Sequence, residues 1–148
     1  MSVKHTDPCP CGRTAPAAGK GAKAAAAALH YADCCGRYLD HWESTPAPDA
    51  ESLMRSRYTA FVAERSDYLQ ATWHTSTRPP ALDFEPGARW LGLDVRSHRA
   101  TGDDRAEVEF VARYRVGGRA VRLHETSRFV CEQGRWFYVD GDVRGGSS

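Results

Sequence analysis

Between Ala50 and Arg65 the apolar residues Leu53, Met54, Tyr58, Phe61 and Val62 recur three or four positions apart, the period of one face of an α-helix. Asp49, just before them, offers a carboxylate to the orphan amides of the first turn. Ser66-Asp67 opens a second, shorter helix carrying Tyr68, Leu69 and Trp73, and the stretch from His74 to Pro80 ends it, because paired prolines cannot continue a helix. From Trp90 onward the period drops to two. Trp90 to Arg96, Glu107 to Val116, Val121 to Cys131 and Trp136 to Gly141 each read as a strand, and the second places Val108, Phe110, Ala112 and Tyr114 on one face. Gly117-Gly118 supplies the positive φ angles of a tight hairpin, and Glu132 to Arg135 makes another turn. Helices first and an antiparallel meander afterwards predict an α+β fold in which the sheet curls around the long helix.

The part before residue 45 has no such periodicity. Thr45-Pro46-Ala47-Pro48 reads as a linker, so the expected division is 1–44, then a main domain over 45–143, then a disordered tail over 144–148. The formal net charge of +1 over 148 residues gives no basic field, which argues against nucleic acid as a partner. The N-terminus lacks the apolar run of a signal peptide, and no stretch approaches the roughly 20 apolar residues that span a bilayer. The expected location is the cytoplasm, where short cysteine spacings favour metal over disulfide.

Four of the five cysteines fall in two tight pairs, Cys9-Pro10-Cys11-Gly12 and Cys34-Cys35-Gly36. Two thiolates from each of two turns are what a tetrahedral soft-metal site needs. The gap between the pairs is long and rich in Ala, Gly and Lys, and it reads as an inserted loop with a marginal alanine helix near its end. Loop-closure entropy grows only as about 1.5 RT ln n, so a gap this long costs little against roughly 10–16 kcal/mol from a structural zinc ion. The alternative is four reduced thiols without metal; His5 and His30 are substitute ligands.

Cys9-Pro10-Cys11-Gly12 with Tyr31-Ala32-Asp33-Cys34-Cys35-Gly36-Arg37-Tyr38 resembles the SEC-C zinc knuckle at the C-terminus of the translocase ATPase SecA. The resemblance implies zinc as cofactor, with Cys9, Cys11, Cys34 and Cys35 as ligands and docking of a protein partner as the use. Leu53 to Val62, Tyr68 to His74, Trp90 to Leu93, Val108 to Tyr114, Leu123 to Phe129 and Gly134 to Gly141 extend the likeness to the YchJ family. That family implies a cone-shaped main domain like nuclear transport factor 2, and it brings no settled activity.

Within the cone, Glu125 and Ser127 share the alternating face of Leu123 and Phe129. A carboxylate on an apolar face needs a partner, and Arg55 or Arg57 is expected to bind it bidentately. His124 has the parity of the outward Arg122 and Arg128, His74 stands at a helix end, and the lone Cys131 is expected to be buried. Two functions follow. The preferred one is a zinc-binding interaction protein whose knuckle presents Arg37, Tyr38 and His41 to a protein. The other is a small-molecule binder or enzyme with Glu125 as acid or base, assisted by Tyr58 or His74, in a pocket walled by Trp73, Tyr58, Trp136 and Tyr138.

Overall fold

The computed structural model describes residues 3–14, 28–84 and 86–143. The alanine-rich part of the insertion and the C-terminal tail lie outside them. Four strands, β1 (Arg89–Gly102), β2 (Arg105–Val116), β3 (Arg119–Glu132) and β4 (Arg135–Val143), form one antiparallel meander in the order β1-β2-β3-β4. The β2–β3 register runs without a break from Arg105↔Val130 to Val116↔Arg119, closed by Gly117 and Gly118 at φ 58° and 78°. β1 is longer than its apolar pattern predicts. Its second half is exposed and polar, and it is held by pairing to β2 and by the cross-strand Arg99–Glu107 ion pair at 2.8 Å.

A short helix, α1 (Gly36–Leu39), precedes the long helix α2 (Ala50–Ala63) and the six-residue α3 (Ser66–Ala71). Asp49 caps α2 as expected, its Oδ1 accepting from the Ser52 amide at 2.7 Å. The helix ends at Ala63, two residues early, because the cap residue Glu64 takes a left-handed φ of 55°.

The expected single apolar stripe on α2 is an underestimate. Leu53, Met54, Tyr58 and Ala60 are buried, and so are Ser52, Ser56, Arg57 and Thr59. The sheet covers only part of the helix; the cysteine-bearing segment and α3 cover other parts. Cys9, Cys11, Cys34 and Cys35 therefore belong to the same buried cluster as Leu53, Tyr58, Val108 and Phe129. Polar side chains on this second face are satisfied locally: Ser56 Oγ donates to the Leu53 carbonyl at 2.7 Å and lies 2.7 Å from the Tyr68 hydroxyl.

Candidate functional site

The first site is the cysteine cluster. Pro10 and Gly12 (φ 77°) fold Cys9 to Gly12 into a turn closed by the Gly12 amide on the Cys9 carbonyl at 3.0 Å. Tyr31 to Asp33 forms a single 3₁₀ turn that delivers Cys34 and Cys35 from the other side. The long gap between the pairs is narrowed at its neck. The Leu29 amide donates to the Arg13 carbonyl at 3.1 Å, the Cys9 amide donates to the Leu29 carbonyl at 2.8 Å, and Thr14 bridges Ala28. The cysteines thus see a short hairpin whatever the chain does beyond it.

All four sulfurs lie within 4.8 Å of one another, with Cys11 and Cys34 3.6 Å apart, and every one of the four residues is buried. A tetrahedron with metal–sulfur bonds of about 2.3 Å has edges of about 3.8 Å, so the donor set fits a soft divalent ion closely. Without a cation the thiols share protons. Hydrogen bonds with Cys11 first, then with Cys34 and Cys35, hold Cys9 below its ordinary value, and hydrogen bonding to Cys11 first pushes Cys34 and Cys35 up. His30 sits in a backbone bridge with Pro8, and His5 stands 4.0 Å from Asp40; neither joins the cluster.

The supporting shell comes from α2, which the sequence did not reveal. Cys9 Sγ lies 3.8 Å from Thr59 Oγ1, Arg55 Nη1 donates to the Cys11 carbonyl at 3.1 Å, and Arg55 Nε donates to Glu51 Oε2 at 2.9 Å. Arg13 Nη1 donates to Ser52 Oγ at 2.9 Å. Arg37 Nε turns back to the Cys34 carbonyl at 3.0 Å, and its guanidinium lies 4.9 Å over the Tyr38 ring. Tyr38 is buried, so it cannot be offered to a partner; Arg37 and His41 are exposed.

The second site is a cavity of about 570 Å³ between α2 and the inner face of the sheet, within the range of small-molecule pockets. Tyr58, Trp73, Trp90, Phe110 and Tyr138 supply aromatic walls, and Arg57, Glu125 and Ser127 supply polar ones. Trp136 does not line it. Tyr58 stacks edge-on against Trp90 at 5.5 Å, and burial raises its phenol to about 12.

Glu125 stands on the inner face of β3 as its parity required, but no described arginine grips it. Arg55 and Arg57 lie two residues apart and therefore roughly 200° apart around the helix. Arg55 is turned to the knuckle. Arg57 Nη1 donates to the Leu69 carbonyl at 2.9 Å and to Thr72 Oγ1 at 2.7 Å. The carboxylate is held instead by Ser127 Oγ, which donates at 2.6 Å, and by the Tyr138 hydroxyl at 3.4 Å. Burial first, then the charge of Glu125, raises the Tyr138 phenol.

Tyr58 and Glu125 thus share one cavity; His74 does not. His74 Nε2 is 2.9 Å from Glu132 and Nδ1 is 2.7 Å from Ser76 Oγ, away from the pocket lining. His124 pairs with Glu109 at 2.7 Å, in keeping with its predicted outer parity. Cys131 is half-buried rather than buried. No described helix is long and apolar enough to cross a membrane.

Residues 49–141 match the family model of the YchJ middle NTF2-like domain. A UPF0225 protein of Polaromonas naphthalenivorans is 67% identical over 137 residues, covering 93% of this chain and 98% of the relative. One from Bordetella pertussis is 52% identical over 139 residues, covering 92% of each. Among solved structures, a SEC-C motif containing protein from Psychrobacter arcticus superposes with a TM-score of 0.73 at 28% identity, covering 97% of this chain and 86% of that one. A second such protein, from Rhodopseudomonas palustris, gives 0.69 at 32% identity, covering 78% and 93%. With its four-strand NTF2-like cone and its buried cysteine cluster, the chain belongs to the YchJ family of UPF0225 proteins.

Proposed function

We propose that this protein binds a small molecule in its cone and that a structural zinc ion on Cys9, Cys11, Cys34 and Cys35 braces the helix forming one side of that pocket. The cavity of about 570 Å³ with Glu125 in its wall is the observation that carries the reading. A cone built only for stability would close its core to native density. Four thiolates complete a zinc coordination sphere and leave no position for water, so the ion supplies cross-linking rather than catalysis. Arg55 and Thr59 connect that cross-link to α2, whose Arg57 and Tyr58 face the cavity.

The test is a titration of the zinc-loaded chain with 1-naphthol, an uncharged aromatic probe, followed through tryptophan fluorescence. Trp73 and Trp90 line the pocket, so saturable quenching is expected, and Leu123→Phe, which fills the space, should abolish it while the circular dichroism spectrum is kept. Quenching that stays linear and is indifferent to Leu123→Phe would reject the pocket as a binding site.

A protein-docking role for the knuckle has one observation in its favour: Arg37 and His41 are exposed beside the cluster. A pull-down from lysate that recovers the same partner with wild type and with Arg37→Ala/His41→Ala would remove it.

A further inference from the structure

The cone contains a buried cation that no acid among the described residues neutralises by contact. Arg57 is 6% exposed, and its guanidinium lies 5.0 Å from the Trp73 ring centre and 4.6 Å from that of Tyr138. Nη1 is committed to Leu69 and Thr72, while no described residue accepts from Nε or Nη2. Among the described residues the one sealed side-chain polar atom without a partner is Thr126 Oγ1. Nε and Nη2 are not among such sealed atoms, and Arg57 lines the cavity. Burial holds the guanidinium down to about 10, so it remains charged at neutral pH.

On the sheet side of the same cavity, Glu125 uses Oε2 for Ser127 and Tyr138, and Oε1 takes no bond from a described residue. The pocket therefore offers a forked donor on one wall and a free acceptor on the other, separated by aromatic surface. A bare anion would be attracted by Arg57 and repelled by Glu125. A neutral apolar molecule would leave the second edge of Arg57 and Oε1 of Glu125 without a partner, which costs more than the missing contact itself.

Resting on the reading of the cone as a ligand site, we infer that the ligand is a monocarboxylic acid with an apolar body and a hydrogen-bond donor on the carbon next to the carboxylate. The carboxylate meets the free edge of Arg57, the donor meets Oε1 of Glu125, and the body fills the aromatic space. α-Hydroxy and α-amino acids with aromatic or branched side chains share this chemistry.

Three probes separate the contributions: mandelate, phenylacetate, which lacks the donor, and benzyl alcohol, which lacks the acid. Binding is read by tryptophan quenching on the zinc-loaded chain at pH 7. Mandelate should bind at least about tenfold more tightly than either other probe, the loss expected when a buried polar group is left unpaired. Glu125→Gln should shrink the mandelate-to-phenylacetate ratio, and Arg57→Met should remove the preference for acids while 1-naphthol still binds. Should Arg57→Met fail to fold, the wild-type ratios and Glu125→Gln decide. Equal affinities for the three probes, or acids that do not bind while 1-naphthol does, would overturn the ligand class and leave the pocket. Failure of 1-naphthol as well would overturn both.

Discussion

Gly36 shows how tightly the knuckle is specified at single positions. A Cβ built on it would lie 2.7 Å from the Tyr31 carbonyl oxygen and 2.7 Å from the Tyr31 ring, and the backbone atom cannot step aside cheaply. Gly36→Ala is expected to destabilise the protein by about 1–3 kcal/mol. Gly92→Ala, with nothing within 4 Å of its Cβ position, is expected to stay within about 0.5 kcal/mol of wild type. Urea midpoints of the two variants check the pair. The cysteines were legible because their chemistry is local: two short spacings announce two turns. Arg57 and Glu125 were legible only as candidates. Which groups they meet depends on where α3 places Leu69 and Thr72 and where β4 places Tyr138, and no spacing within α2 or β3 contains that.

At the scale of elements, the period of apolar residues located α2, α3 and the four strands, and it failed where burial does not follow a stripe. The second half of β1 is polar and exposed, and it is held as a strand by its ladder to β2. The buried Ser52, Ser56 and Thr59 on α2 hide the helix face that meets the knuckle, since small hydroxyl residues read as solvent positions. Removing the cap with Asp49→Ala should cost about 1 kcal/mol, measurable by thermal denaturation. Asp67 supports the start of α3, accepting from the Tyr68 amide at 2.8 Å and pairing with Arg65 at 3.0 Å, and that pairing first holds its carboxyl below the ordinary range. A carboxylate with a depressed folded-state pKa stabilises above its unfolded pKa and loses that contribution as pH falls through the folded value. The melting-temperature gap between wild type and Asp67→Asn is therefore expected to be small at pH 7, because the pair is exposed, and to close below about pH 4.

The molecule as a whole has one contiguous core in which the cysteine cluster, α2 and the inner sheet face are successive layers. That contiguity was not legible, because the Pro-rich stretch before Asp49 reads as a boundary while the residues on either side of it pack together. Ala47, inside that stretch, is itself buried. Loss of the metal should therefore reach the cone: chelation is expected to lower the melting temperature followed at the cone tryptophans and to weaken 1-naphthol binding. An independent knuckle would come apart without either effect.

The most direct test is native mass spectrometry of the purified chain beside its Cys35→Ser variant, paired with thiol alkylation under native conditions. One zinc ion per wild-type chain and four thiols protected from alkylation are expected, with loss of both in the variant. A metal-free wild-type chain whose cysteines alkylate freely while the fold persists, or a variant that keeps its zinc, would contradict the four-cysteine zinc site.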